Sequence, residues 1–419
     1  MGLYKQDSSI NLLQLTHRLP WPPIDGGKKG TLGFVEGYRR HPATRHQSLL
    51  CMCPTDEAQW ALDWKPDGVE LTVDLMYSRN TIPRVLANTL FSRQPFNIAK
   101  YQRASFSALI QASIGRQIPD VVHFDSLHTS WYVPLVKRLA PNALRVLRCH
   151  NAEHVIMERM AEAEHNPAKR AIITIQARRL KSYEAEALNM FDLILAITEE
   201  DATRFRAINP RCDERMIVVP AGADIPLVLP PAPPADQGKI RLVHIASMDW
   251  LPNQAGLIWL LSDVLPLLDK TGVDYHLDVI GKNMPDAFLK MSSPRVTVHG
   301  FVQDLKPIMS AAQIAVVPLH VGGGMRVKIL DYWSMGIPVI ATHVGAEGLW
   351  ECDEKVIALA DSPVDFARAI EHLSAKPAER EDLRAAAFRK VSRHYGWSIL
   401  IDGLIHRYQA LRMSGKRSA

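Results

Sequence analysis

Between Pro318 and Thr342 the chain reads PLHVGGGMRVKILDYWSMGIPVIAT, a stretch dense in residues suited to holding an anion. Gly322, Gly323 and Gly324 offer bare backbone, and a helix is predicted directly after them, from about Met325 to Met335. A helix start presents unsatisfied N–H groups and the positive end of the dipole, which together seat phosphate. Arg326 and Lys328 fall in the predicted first turn, where cations oppose the dipole unless an anion lies beside them. The pair therefore reads as a clamp on a diphosphate. The competing reading is a solvated basic helix start with its cations paired to a carboxylate. Asp331, about one turn further on, has two acceptor oxygens suited to ribose hydroxyls. The segment lacks GxxxxGK[ST], so ATP hydrolysis on a Walker loop is not indicated. No Asp-x-Asp lies near it, and the cations with the helix terminus can supply the positive field without a metal.

Other segments carry candidate groups. The loop RLPWPPIDGGKK brings Gly26 and Gly27 to a predicted helix start, where bare amides either approach an anion or merely make a tight turn. VVHFDSLH, from Val121 to His128, ends a strand; His123 and His128 read first as core or capping histidines. In RCHNAE, Asn151 is a plausible helix cap, and His150 at the strand's end either serves an acceptor site or packs the loop. Glu153, Tyr183, Glu184 and Glu186 read as structural or solvated.

These groups need elements to position them. Apolar runs at 10–15, 48–52, 69–73, 121–124, 143–147, 193–197 and 216–219 alternate with helical stretches, including a long one from about Ala168 to Met190. The alternation predicts parallel strands joined by crossover helices, with ligands at the strands' carboxyl ends. IPLVLPPAPPADQG then places five prolines between 225 and 238, which forbids a continuous helix and reads as a linker. Strand candidates resume at 241–245, 276–280, 296–299, 314–318, 337–341 and 355–358. The predicted organisation is a first domain over 1–224, a linker over 225–238, a second domain over 239–394, and a tail over 395–419 whose helix returns to the first domain.

Length and composition agree with this. A chain of 419 residues exceeds one ordinary core, and 47% hydrophobic with 22% charged residues excludes extensive disorder. Five cysteines, an odd number without zinc-type spacing, argue against a disulfide framework. The N-terminal residues show no secretory pattern and no run is apolar enough to span a bilayer, so a cytoplasmic location is expected. The net charge of +5 favours anionic ligands or peripheral contact with a membrane surface and does not call for nucleic acid.

The Pro318–Thr342 segment resembles the C-terminal signature of family 4 retaining glycosyltransferases of the GT-B fold, most closely a subgroup with GGG-x-R-x-K. In that signature a Glu, seven residues and a second Glu precede a PV strand; the spacing puts Gly323 at the first Glu and Asp331 at the second. RLPWPPIDGG, VVPAGAD at 218–224, ASMDW at 246–250 and VHGFV at 298–302 extend the resemblance over nearly the whole chain. It implies two Rossmann-like, doubly wound parallel-sheet α/β domains facing across a cleft. It also implies a UDP- or GDP-sugar as co-substrate with no obligatory cofactor, and a sugar, lipid-linked or other hydroxyl acceptor. By likeness, Asp331 binds the ribose and Gly26 and Gly27 contact the donor diphosphate. Asp125 stands near the donor sugar, where relatives often carry His, and the HVGAEG loop with Glu347 flanks the donor, Glu347 otherwise capping a helix. Two departures stand out: Gly323 in place of a sugar-binding Glu, and SMDWLPN at 247–253 where relatives carry an Arg and a Lys. The expected activity is sugar transfer with retention, in polysaccharide or glycoconjugate assembly. The rivals are another GT-B enzyme, such as a sugar-nucleotide epimerase or a phosphorylase, and a catalytically idle nucleotide-sugar-binding protein.

Overall fold

Seven short, mostly apolar runs form a first sheet: β1 (Ile10–Thr16), β2 (Thr44–Pro54), β3 (Glu70–Met76), β4 (Val121–Asp125), β5 (Leu144–Arg148), β6 (Leu193–Ala196) and β7 (Met216–Val218). Six more form a second: β8 (Ile240–Ile245), β9 (Tyr275–Ile280), β10 (Val296–Gly300), β11 (Ile314–Val317), β12 (Val339–Ala341) and β13 (Ala358–Leu359). The structure is a computed structural model, and it describes residues 9–77, 80–233, 238–322, 324–349 and 355–415.

Both sheets are parallel throughout, in the orders β3-β2-β1-β4-β5-β6-β7 and β10-β9-β8-β11-β12-β13. Strands covered on two faces are apolar at most positions, and the central runs follow this, with the buried polar residues of β4 and β5 as exceptions. In β11, Ile314 and Val316 enter one core cluster while Ala315 and Val317 enter another. In the first sheet Leu50 and Met52 belong to one cluster, and Leu49, Cys51 and Cys53 to a second. The expected α/β architecture of two Rossmann-like units is therefore present.

Each order reverses once, between β1 and β4 and between β8 and β11. At such a reversal the flanking loops diverge to opposite sides of the sheet and leave a crevice beyond the strands' carboxyl ends. The loops after β1, β4, β8 and β11 hold most of the sequence-level candidates.

The chain divides into a unit ending at Pro220, which also includes the chain from Leu400, and a unit of Ala221–Ile399. The proline-rich segment's described residues belong to the second unit: Pro230 O accepts from Arg384 Nη2, and Leu229 lies against Gly336. The last helix, Trp397–Met413, supplies Tyr408 to the first unit, where its hydroxyl meets that of Tyr38 at 2.8 Å in a buried pair.

Candidate functional site

In the first unit the carboxyl end of the sheet carries a buried polar cluster. Asp125 and Arg148 are the last residues of β4 and β5 and oppose each other in register. Asp125 is fully buried, and its Oδ1 accepts from Arg148 Nη1 at 3.0 Å and from His150 Nε2 at 2.7 Å. Gly30 makes room for Arg148, since a Cβ there would lie 2.5 Å from Nη2, and the Phe34 ring lies 4.5 Å from the guanidinium carbon. Burial by itself would raise the Asp125 carboxyl, but His150 and Arg148 outweigh it and hold the group well below the usual carboxylate range. The carboxylate can only accept, so the proton of the neutral His150 ring sits on Nε2 and Nδ1 is left as an acceptor. The His150 side chain is 10% exposed, so the ring reaches the surface that Asp125 does not.

His17, from the loop after β1, stacks on His128, from the loop after β4, with centroids 4.6 Å apart. It also stands edge-on to His150 at 6.2 Å. Burial, then the neighbouring His128, Arg18 and His150, lower the His17 imidazole well below its ordinary value; burial, then Lys100, His150 and Arg18, bring His128 to about 3. His17 and His128 are thus neutral near pH 7, and burial lowers His150 from its ordinary value as well. Ser126, between Asp125 and the His128 turn, has φ 113°, a conformation a non-glycine residue adopts only at a cost, and its Oγ lies 2.6 Å from His128 Nδ1.

The first glycine pair is positioned differently from a bare anion seat. The helix Gly26–Arg40 starts as predicted, but Asp25 caps it, accepting from Lys28 N at 2.9 Å. Arg18 pairs with both Asp25 oxygens, at 2.9 and 3.2 Å, and its Nη2 occupies the space a Gly27 side chain would need. Gly27 admits the Arg18 guanidinium, which joins Lys28 and Lys29 as a cation at this helix start. Asn151 does not cap the next helix; Ala152 takes that position, and Asn151 hydrogen-bonds the Glu153 carboxyl. Burial, reinforced by Glu184, pushes that carboxyl up to about 7.

In the second unit the helix predicted from Met325 begins later. It spans Val327–Ser334, with Arg326 in the capping position and Lys328 in the first turn. Arg326 is 7% exposed, its guanidinium carbon 5.7 Å from the Trp250 ring centre. A side chain on Gly322 would overlap Arg326 Nη2 and approach Trp250 Cη2 to 2.9 Å. Trp250 thus occupies the loop after β8, where the resemblance implies cations. That loop is pinned by Asn253 Nδ2 donating to Ser247 O at 2.7 Å and Gln254 Nε2 to Met248 O at 2.6 Å. Lys328 is half-buried; burial first, and the Lys328 charge second, bring His244 down to about 3. Asp331 is half-buried on the same helix, and Gly324 adopts φ 73°. Gly323 lies outside the described residues. A cavity of about 500 Å³ is lined by His320, Val321, Gly322, His343, Val344 and Glu347, so Glu347 and the glycine segment share one space. Glu347 ends a single 3-10 turn, Val344–Ala346, and its side chain caps no helix among the described contacts.

Sequence reasoning named Asp125, His150, Arg326, Lys328 and Glu347 and passed over His17, Arg18, Arg148 and Trp250. The missed signal was positional: each lies at or just beyond the carboxyl end of a strand flanking, or next to, a sheet reversal.

Residues 239–376 match the family model described as Glycosyl transferases group 1. That segment carries Arg326, Lys328, Asp331 and Glu347. A curated relative, an uncharacterized 44.6 kDa protein in the cps region of Klebsiella pneumoniae, is 22% identical over 261 residues, which is 60% of this chain and 65% of the relative's length. Among solved structures, HepE from Anabaena in complex with UDP is 13% identical with a TM-score of 0.66, covering 96% of this chain and all of that one. Sucrose-phosphate synthase from Thermosynechococcus elongatus is 15% identical with a TM-score of 0.68, covering 96% and 100%. A glycosyltransferase from Rickettsia africae is 14% identical with a TM-score of 0.60, covering 97% and 99%. The fold is the two-domain Rossmann-like GT-B fold of these proteins.

Proposed function

We propose that the protein is a retaining glycosyltransferase that moves a sugar from a UDP- or GDP-sugar to a hydroxyl acceptor. The observation that carries this reading is Arg326: a nearly buried cation at a helix start, held over Gly322 at the sheet reversal, within the segment that matches the group 1 family. A nucleoside diphosphate seated there would meet Arg326, Lys328 and the helix dipole, and the charge that develops as it leaves would be stabilised without a metal. Asp331 would take the ribose hydroxyls, and Glu347 with the backbone at Gly322–Gly324 the sugar side of the cavity. UDP is the nucleotide to test first, because HepE was crystallised with it.

In the first unit His150 would meet the transferred sugar or the acceptor through Nδ1, with Asp125 acting through it as a positioning residue. Transfer breaks the bond from the anomeric carbon to the diphosphate and forms one to the acceptor oxygen; the acceptor's proton passes to the departing phosphate. Glycoconjugate or polysaccharide assembly at the cytoplasmic side is the setting we favour, the cps-region relative being in keeping with it. Nucleotide-sugar binding without turnover is the second reading, favoured by Trp250 where cations are expected.

A thermal-shift screen of UDP, GDP and their sugars on the full chain tests the proposal, since a ligand of the folded state raises its melting temperature. A nucleotide shift that vanishes in Arg326→Ala, with release of nucleoside diphosphate in step with product, supports it. A shift unchanged by that substitution overturns the site, and binding without release overturns the transferase reading.

A further inference from the structure

The helix Ile82–Phe91 is built the wrong way round for a surface helix. Such helices bury their apolar stripe and show water their polar face. This one buries none of its residues, and it meets the rest of the first unit through polar groups. Gln176 Nε2 donates to Asn88 Oδ1 at 3.0 Å and to Thr89 Oγ1 at 2.9 Å, and Arg179 donates to the carbonyls of Asn88 and Thr89 at 3.3 and 2.8 Å. Ile82, Leu86 and Leu90, spaced by four and so forming one stripe, are 73%, 38% and 73% exposed, and Phe91 at the helix end is 88% exposed. Leu75 and Tyr77, at the strand end before the helix, are exposed as well.

Charge says what would cover this face. From residue 75 to residue 119 the sequence holds six Lys or Arg and not one Asp or Glu, in a chain whose total charge is only +5. Arg103 and Arg116 are neutralised by Asp74 and Glu70 from β3, while Arg84 and Arg93 are exposed at either end of the stripe. The adjoining helix, Pro167–Ala187, adds exposed Ile175 with exposed Lys169, Arg170 and Arg178, and has no carboxylate before Glu184. The exposed side chains of one ten-residue helix and its edges, flanked by cations, form a narrow strip rather than the patch of about 20–30 residues a side that a stable protein interface takes. They suit a helix lying in the headgroup region, where apolar insertion and attraction to anionic lipid add together.

We propose that the helix Ile82–Phe91 docks the protein on a bilayer with anionic headgroups, inserting Ile82, Leu86, Leu90 and Phe91. This does not rest on the transferase reading. The test is co-sedimentation of the full chain with phosphatidylcholine vesicles, with and without phosphatidylglycerol. The wild type should partition to the anionic vesicles about tenfold better than to the neutral ones, less so at high salt. Leu86→Ser with Leu90→Ser, and separately Arg84→Gln with Arg93→Gln, should each lower that partition about tenfold with the melting temperature held. Ala87→Cys carrying an environment-sensitive dye should shift to the blue on the same vesicles, whether or not the paired variants fold. Failure to sediment with anionic vesicles, a partition untouched by the leucine pair, an unshifted dye, or vesicle-free self-association that the leucine pair abolishes would each overturn the proposal.

Discussion

His17 stacks on His128 across the reversal of the first sheet, ring centroids 4.6 Å apart, though 111 positions separate them in sequence (128 − 17). The contact exists because β1 and β4 are neighbours in the sheet while the chain between them runs out through β2 and β3. Its chemistry follows from burial, which keeps both rings neutral and makes protonation of either costly.

Acid should therefore destabilise this protein earlier than carboxylate titration alone would. His123 and His128 are held at about 4 and about 3, chiefly by burial, so below the unfolded value of 6.5 the unfolded chain takes up protons that the folded one refuses. The stability these groups contribute is present above pH 6.5 and is lost as pH falls below it. Melting temperature followed from pH 7.5 to 4.5 should decline from about pH 6.5 downward. A flat profile to pH 5 would show that the imidazoles are hydrated in solution.

Asp125→Asn should leave nucleotide affinity alone and lower turnover. The amide can donate to His150 Nε2, which favours the other tautomer and removes the acceptor at Nδ1. Loss of a hydrogen bond that orients the substrate hydroxyl costs about 0.5–1.5 kcal/mol, roughly a two- to twelvefold loss in rate. UDP thermal shifts and initial rates measured side by side check this, and His150→Ala should match it in rate. Equal losses of UDP binding in both variants would place the nucleotide elsewhere.

Gly256→Ala should destabilise the second unit without touching any ligand group. In the helix Leu251–Trp259 a Cβ at 256 would strike the carbonyl oxygen of Pro318, a backbone atom that cannot turn aside. Overpacking of this kind costs about 1–3 kcal/mol. Gly115→Ala is the control: nothing lies within 4 Å of a Cβ there, and the change should be neutral or stabilising by up to about 1 kcal/mol. Urea midpoints of the two variants give the comparison.

Glu153→Gln should raise stability at pH 8 relative to pH 5. Burial pushes its carboxyl to about 7, so between the unfolded value of 4.5 and about 7 the native state keeps a proton the unfolded chain has released, and stability falls as pH rises through that window. The amide removes that loss. Denaturant midpoints at the two pH values, compared between wild type and variant, measure it.

The strands were readable because parallel strands covered on two faces leave unbroken apolar runs such as IAVV at 314–317. The segment at 322–328 drew notice in the sequence because its glycines and cations break local rules within a few residues. Arg148 was not, since in LRVLR it looks like an ordinary strand arginine and only the pairing of β5 with β4 sets it against Asp125. Trp250 escaped for the same reason: its partner Arg326 is 76 positions on (326 − 250), brought near by the adjacency of β8 and β11. Gly27 lies against the Arg18 guanidinium, which no local pattern foretold, since the two are brought together by the turn that Asp25 caps.

Tyr408 gives the first unit a buried hydroxyl partner for Tyr38, and Arg412 gives Asp120 a cation at 2.5 Å. Both residues follow every strand of the two sheets in chain order. The nascent first unit therefore keeps its groove for that helix unfilled until the second sheet's strands and residue 412 have been made, and a chain cut before Tyr408 would lack both contacts.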